Sequence, residues 1–310
     1  MNPIKKIVLF IAMLPAPGFF AQQNPGYSMY MYDKMLINPA FTGSSNWAVA
    51  TLKNRTQFIG LKGNPVTQTF NFHAPIQKKH IGLGFKVVND KIAVMSNLNM
   101  AMDLSYHLNF AGGKLSFGLE AGFMKRQIDY NKLIMSSQHD NVIPLTSVSS
   151  VVPDASLGMY YHKKQFYAGL SQYHILKVNF NDKTEVKSQS RLYGSTFLLI
   201  GRVFELSKKW TLEPSMLLKQ QSASPAQLDI NFSTYYNDKI GAGLQYRTGD
   251  AIALTLRVNI TEGLRIAYAY DITVSKLSPY SKGSHEIMIS YGIKLPPPAK
   301  QKEIHPRYYF

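Results

Sequence analysis

From about Trp47 to Lys294 the chain alternates large apolar side chains with small or polar ones, in segments of roughly ten residues. In the clearest, Leu98, Met100, Met102, Leu104, Tyr106 and Leu108 share one face, while Asn99, Ala101, Asp103, Ser105 and His107 share the other. Period two signals a β-strand, because successive side chains point to opposite faces. One such strand constrains little. About fourteen in a row, with no long helical pattern between them, restrict the chain to an all-β architecture.

The alternation predicts strands over 46–55, 65–73, 80–90, 97–109, 114–126, 154–162, 165–173, 190–203, 209–219, 226–236, 239–248, 251–260, 263–272 and 284–294. Connections after even-numbered strands are short, and Gly112-Gly113 and Asn237-Asp238 suit the positive φ of tight hairpins. The long connections, 55–64, 127–153, 174–189 and 273–283, all follow odd-numbered strands, with 248–250 the one short exception. Short periplasmic turns on one rim and longer extracellular loops on the other are the pattern of an outer-membrane barrel.

A soluble sandwich also alternates, so strand length and charge have to decide. Soluble strands run about 5–6 residues, whereas most of these run nine to thirteen. Charged residues make up 17% of the chain, against about 25% in soluble domains. The polar face mixes Gly, Ala and Ser with charges of both signs, which suits a crowded lumen. The expected fold is a 14-stranded antiparallel transmembrane β-barrel, apolar side out.

Inward charges would then be Lys86, Asp103, Glu120, Glu213, Asp229, Arg247, Arg257, Arg265, Asp271 and Glu286, with Arg257–Asp271 and Arg265–Glu286 as cross-strand pairs. The first strand is ambiguous, because Lys53 and Arg55 share parity with Trp47 and Val49. Such charges could line a solute channel or fill a scaffold, since fourteen strands enclose more space than the eight that side chains fill.

Residues 1–21 read as a secretory leader, with Lys5 and Lys6 before the apolar Ile7–Leu14 and Ala21 as the last leader residue. Eight apolar residues are too few to span a bilayer. Residues 22–45 carry too many aromatic and sulfur side chains for a solvated linker, and are expected against the periplasmic mouth or inside the lumen. The barrel should occupy 46–295. Pro296-Pro297-Pro298 ends it, because proline cannot donate to a ladder, and opens an extended basic tail over 296–310.

Without cysteine there is no disulfide, thiolate metal site or cysteine nucleophile. The eight histidines are scattered, and no zinc motif, phosphate loop or nucleophile elbow is present. No catalytic, cofactor or metal residue is therefore assigned, and an enzyme is not expected. The formal charge of +16 lies largely outside the strand centres, in Lys78, Lys79, Lys163, Lys164, Lys208 and Lys209 among others. Such charge suits anionic lipid head groups or acidic proteins; nucleic acid is not expected of an exported β protein without a nucleic-acid motif.

Several stretches together resemble the PorP/SprF-like outer-membrane proteins of the type IX secretion system in Bacteroidota. They are Tyr30 with Ile37-Asn38-Pro39-Ala40-Phe41-Thr42-Gly43, Arg55-Thr56-Gln57-Phe58, Pro65-Val66-Thr67, Gly82-Leu83-Gly84 and Asn89-Asp90. Further along come Lys114-Leu115-Ser116-Phe117-Gly118, Pro153-Asp154, Gly158-Met159-Tyr160-Tyr161, Phe166-Tyr167-Ala168-Gly169-Leu170-Ser171 and His285-Glu286. Phe58 departs from the family's usual Trp. The resemblance implies a noncatalytic component of the secretion and gliding apparatus, supporting export or surface attachment of secreted proteins. Its implied partners are outer-membrane lipids, periplasmic ring proteins and an exported adhesin. Tyr30, Asn38, Pro39 and Phe41, with Arg307, Tyr308, Tyr309 and Phe310 of the tail, are the expected partner contacts. A passive, porin-like solute channel is the alternative.

Overall fold

A computed structural model describes residues 25–132, 147–180, 191–221 and 224–296. Its strands are β1 (Trp47–Thr56), β2 (Val66–Ile76), β3 (Ile81–Ile92), β4 (Met95–Phe110), β5 (Gly113–Ile128), β6 (Val148–Lys163) and β7 (Phe166–Tyr173). They continue as β8 (Ser195–Arg202, prolonged by Phe204–Glu205), β9 (Trp210–Gln221), β10 (Gln227–Tyr236), β11 (Ile240–Arg247), β12 (Ala251–Asn259), β13 (Leu264–Thr273) and β14 (Ser284–Lys294). Each pairs antiparallel with its sequence neighbours, and β14 closes on β1, Trp47 opposite Lys294 and Thr56 opposite His285. The result is the expected closed barrel of fourteen strands, which leaves no open edge.

Two details differ from expectation. β6 begins at Val148 rather than 154 and carries Pro153 in its run. Residues Val148–Ser156 pair only with β5, since β7 joins β6 from Leu157 onward. A proline is tolerated there, on an overhang with one hydrogen-bonded side. The turn at 93–94 between β3 and β4 is also short, so the long-loop rim has a second tight connection besides 248–250.

The faces sort as membrane and lumen require. Met102 is 70% exposed, while its neighbours Ala101 and Asp103 are 4% and 2% exposed. In β1 the ambiguity resolves: Thr51, Lys53 and Arg55 are buried inward and Leu52 points out. Lipid offers a cation no partner, whereas the lumen does.

Pro25–Asn46 lies inside the barrel. It climbs through three short 3₁₀ turns, Tyr30–Tyr32, Lys34–Leu36 and Pro39–Phe41. Asn38 starts the last of them, its Oδ1 accepting the Ala40 N–H at 2.9 Å with Pro39 at the first helical position. At the short-turn rim the segment joins β1, and the Asn46 carbonyl accepts the Leu295 N–H at 2.9 Å. At the long-loop rim Pro25 and Gly26 sit among Gln57, Pro65 and Thr248. The apolar core is therefore inside the lumen. Tyr30, Met31, Ile37 and Ala40 pack on Tyr160, Tyr167, Tyr173, Phe197, Leu199 and Leu217, and Met29 packs on Ala267, Ala269 and Met288.

Candidate functional site

The site is the contact between this plug and the barrel wall, which grips it at three heights. Nearest the long loops, the Ser28 N–H donates to Glu286 Oε2 at 2.8 Å and its hydroxyl to Asp271 Oδ2 at 2.7 Å. The Arg55 guanidinium holds the same three groups, donating to Ser28 Oγ at 2.9 Å, Glu286 at 3.0 Å and Asp271 at 2.7 Å. Arg247 completes the cluster, donating to Asp229 at 3.2 Å, Asp250 at 3.1 Å and the Tyr27 carbonyl at 3.2 Å. Hydrogen bonds to ionised partners are roughly twice as strong as neutral ones, and here those that involve Ser28 and the Tyr27 carbonyl run between wall and plug.

Midway, the Asp33 carboxylate accepts from Asn71 at 2.7 Å and faces the Lys53 ammonium at 3.2 Å. On the next strand, directly opposite Asn71, Lys86 pairs with Glu120 and donates to the Tyr173 hydroxyl at 3.2 Å. Lower down, Lys34 stands 4.5 Å from the centre of the Tyr167 ring and 3.7 Å from Glu213, which accepts from the Tyr167 and Tyr235 hydroxyls at 2.7 and 2.9 Å.

Side-chain hydroxyls and amides secure the lower half. Ser105 donates to the Thr42 carbonyl and Ser171 to the Ile37 carbonyl, each at 2.5 Å, and the Asn38 amide donates to the Met159 carbonyl at 2.9 Å. His107 bonds Ser105 and Ser116 at 3.1 and 2.7 Å, as a satisfied lumen histidine should. Between plug and wall remains a cavity of about 90 Å³, bordered by Tyr27, Lys86, Asp90, Glu120, Lys219 and Asp229. An apolar cavity that takes benzene measures about 150 Å³. Among the described residues no three His, Asp or Glu gather as a metal set.

A family model described as "Type IX secretion system membrane protein PorP/SprF" matches residues 19–291. The chain belongs to the PorP/SprF family. It is accordingly an outer-membrane barrel component of type IX secretion. No curated protein matches it. Among solved structures it is similar to the toluene transporter TbuX of Ralstonia pickettii, at 10% identity over 84% of this chain and 93% of that one, with a TM-score of 0.52. It is also similar to the toluene transporter TodX of P. putida, at 10% identity over 83% and 92%, with a TM-score of 0.51. At such identity the shared property is the barrel fold.

The glycines that carried the PorP/SprF resemblance converge on the plug seat. A Cβ on Gly118 would overlap the backbone of Pro39 and Ala40, one on Gly158 the Asn38 amide, and one on Gly82 the Thr42 carbonyl. Gly158→Val should therefore lift the plug from its seat and destabilise the folded barrel by about 1–3 kcal/mol, the usual range for overpacking. Denaturant unfolding of the detergent-solubilised protein measures that loss; an unchanged midpoint would place the plug elsewhere.

Of the ten charges expected inward, eight are buried and Glu213 and Arg265 are half-buried, and the two expected pairs do not form. Arg257 bonds Asp238 at 2.6 Å, and Arg265 donates to Asn259 at 3.1 Å. Register is the reason: Arg257 lies opposite Ala267, four residues along β13 from Asp271, a separation of about 13 Å. Arg265 lies opposite Ser290, four residues from Glu286. The partners that sequence reading missed are Arg55, Lys53, Ser28 and Asp33. Two cations sharing a face with Thr51 were the available signal in β1. Tyr30, Asn38 and Pro39, expected to meet a partner protein, are buried against the wall, and Phe41 is half-buried there. Their aromatic and apolar surface is satisfied within the lumen. Arg307, Tyr308, Tyr309 and Phe310 lie outside the described residues.

Proposed function

We propose that this protein is a noncatalytic, closed anchor of the type IX secretion and gliding apparatus, engaging periplasmic ring proteins at one rim and an exported surface protein at the other. The observation that carries the reading is the filled lumen: Ser28, Tyr30, Met35 and Ala40 have no exposed surface. A barrel filled in this way works through its rims. The short-turn rim is basic, with exposed Lys78, Lys79, Lys114, Lys163, Lys164, Lys208, Lys209 and Lys239 set against Glu205, Asp238 and Glu262. A collar of that sign suits an acidic protein surface and steers its approach.

Reversing Lys163, Lys164, Lys208 and Lys209 to Glu should leave the barrel inserted while recovery of the ring proteins in pull-downs falls at least tenfold. Undiminished recovery would remove the collar from the interface. The barrel fold shared with TbuX and TodX favours a second reading, a passive solute channel. Against it stand the plug and the small size of the residual cavity, about 90 Å³. A steady open conductance from the intact protein in planar bilayers would reverse that preference.

A further inference from the structure

Closure pairs every strand at the level of the membrane, but β6 rises past its neighbour β7. Its upper part, Val148–Ser156, has only β5 as a ladder partner. The Ala155 carbonyl points to the β7 side, where it accepts the Ile175 N–H at 3.0 Å. Successive residues of a strand offer their main-chain groups to opposite neighbours, so Ser149, Val151 and Pro153 turn theirs to that side too. Among the described residues no main-chain group takes them. Pro153 fits this parity, since the N–H it lacks has no ladder partner to miss it.

This edge stands clear of the hydrocarbon. Gln172, Thr196 and Gln220 lie side by side on the outer face of β7, β8 and β9, with Leu170, Leu198 and Leu218 side by side beneath them. The polar row marks the upper limit of the apolar belt on this flank. Leu157, level with Gln172, is the uppermost β6 residue that pairs with β7, so Ser149–Ala155 extend beyond the row. Open sheet edges do not occur in the bilayer core, and here the free groups begin only where it ends. An unpaired edge of about 20 Å is a template for another strand. Pro153 blunts its lower end, while Val151 keeps both donor and acceptor and is 59% exposed.

The flanks indicate what that strand carries. Lys125 lies directly opposite Val151 on the outer face of β5, and Lys177 is exposed beside the edge. Lys177 also borders a notch of about 330 Å³, shared with Gln172, Ile175, Gly194, Thr196 and Gln220. An extended acidic segment matches both features. Its main chain meets the β6 groups, which supply affinity, and one carboxylate enters the notch, which supplies specificity.

We propose that the free edge of β6 takes up a strand from an exported surface protein by β-sheet augmentation, an extended segment with an acidic residue that reaches the Lys177 notch. The proposal rests on the anchor reading above and gives its outer contact a place and a mode. Because the chain has no cysteine, one introduced thiol carries a crosslinker to one site. Ser149→Cys, Val151→Cys and Pro153→Cys are each labelled with benzophenone maleimide on intact cells and irradiated.

The expected result is an adduct with one exported protein from all three sites, at partner residues that step by two as the label steps by two. Adding Val151→Pro to Ser149→Cys should lower the adduct about tenfold, the effect of one lost hydrogen bond, while the barrel stays heat-modifiable. A Val151→Pro barrel that loses heat-modifiability has that N–H bonded within the chain, which overturns the proposal. Adducts confined to this chain or a second copy of it overturn it too, as do adducts without the two-residue step or undiminished by the proline. If no adduct forms, the edge proposal falls, and the anchor reading is judged by formaldehyde fixation of the same cells. An exported protein that copurifies with the fixed barrel leaves that reading standing; none copurifying sinks both.

Discussion

Replacing Arg55 with methionine is expected to destabilise the folded barrel by about 3–5 kcal/mol, the range for removing one partner of a buried charge pair. Its guanidinium is 2.7 Å from Asp271 and 3.0 Å from Glu286, and all three side chains are at most 2% exposed. Without Arg55, among the described residues Glu286 keeps only the Ser28 and Met29 N–H donors, and Asp271 keeps Arg247 at 3.4 Å and the Ser28 hydroxyl. The loss comes mainly from a carboxylate stranded in a poorly solvated lumen. Adding Glu286→Gln to Arg55→Met should therefore restore part of it, because the amide oxygen still accepts from the plug without carrying a charge. Guanidinium unfolding of the four proteins of this double-mutant cycle gives both numbers. A single-mutant loss below about 1 kcal/mol would indicate a water-accessible cluster, and the grip on Ser28 would then be weak.

The barrel was legible in the sequence because its signal is local. Alternation along Leu98–Leu108 assigns a face to each side chain whatever the neighbouring strand is, and Met102 and Asp103 point where it says. Hairpin turns such as Asn237-Asp238 locate strand ends by the same local chemistry: both residues have positive φ, 49° and 52°. Pairing is not local. Arg257 and Asp271 share the correct face and are still four residues out of register, a quantity that side-chain parity does not carry. The plug seat lay further from view, since Ser28 and Glu286 are 258 residues apart. Small residues at Gly118, Gly158 and Gly169 marked a crowded lumen, but what crowds it became visible only when Asn38 and Pro39 were placed against them. The aromatic load of the lead-in segment was an equally real signal of burial, and it left the burying surface unnamed.

Deleting residues 25–44 while keeping residues 1–24 should turn a closed barrel into a conducting one. Fourteen strands enclose more volume than wall side chains fill, as the buried core of Tyr30, Met31, Ile37 and Ala40 shows by occupying the difference. Once the plug is gone, Arg55, Lys53, Asp271 and Glu286 lose Ser28 and Asp33 and face an open lumen, where water hydrates them. Hydration stabilises the emptied state against collapse, because a continuous water column meets the polar wall without the penalty of dry, orphaned charge. The plug itself removes one acid, Asp33, and one base, Lys34, so the wall keeps both signs and the pore should discriminate only weakly between small cations and anions. Planar-bilayer recordings at matched protein density make the comparison: near-baseline current for the intact protein, steady large steps for the deletion, and brief openings for Arg55→Met, whose plug has lost its upper clamp. An inserted, heat-modifiable deletion barrel that conducts no better than the intact protein would mean that something other than the plug closes the lumen, and the anchor reading would lose the observation on which it stands.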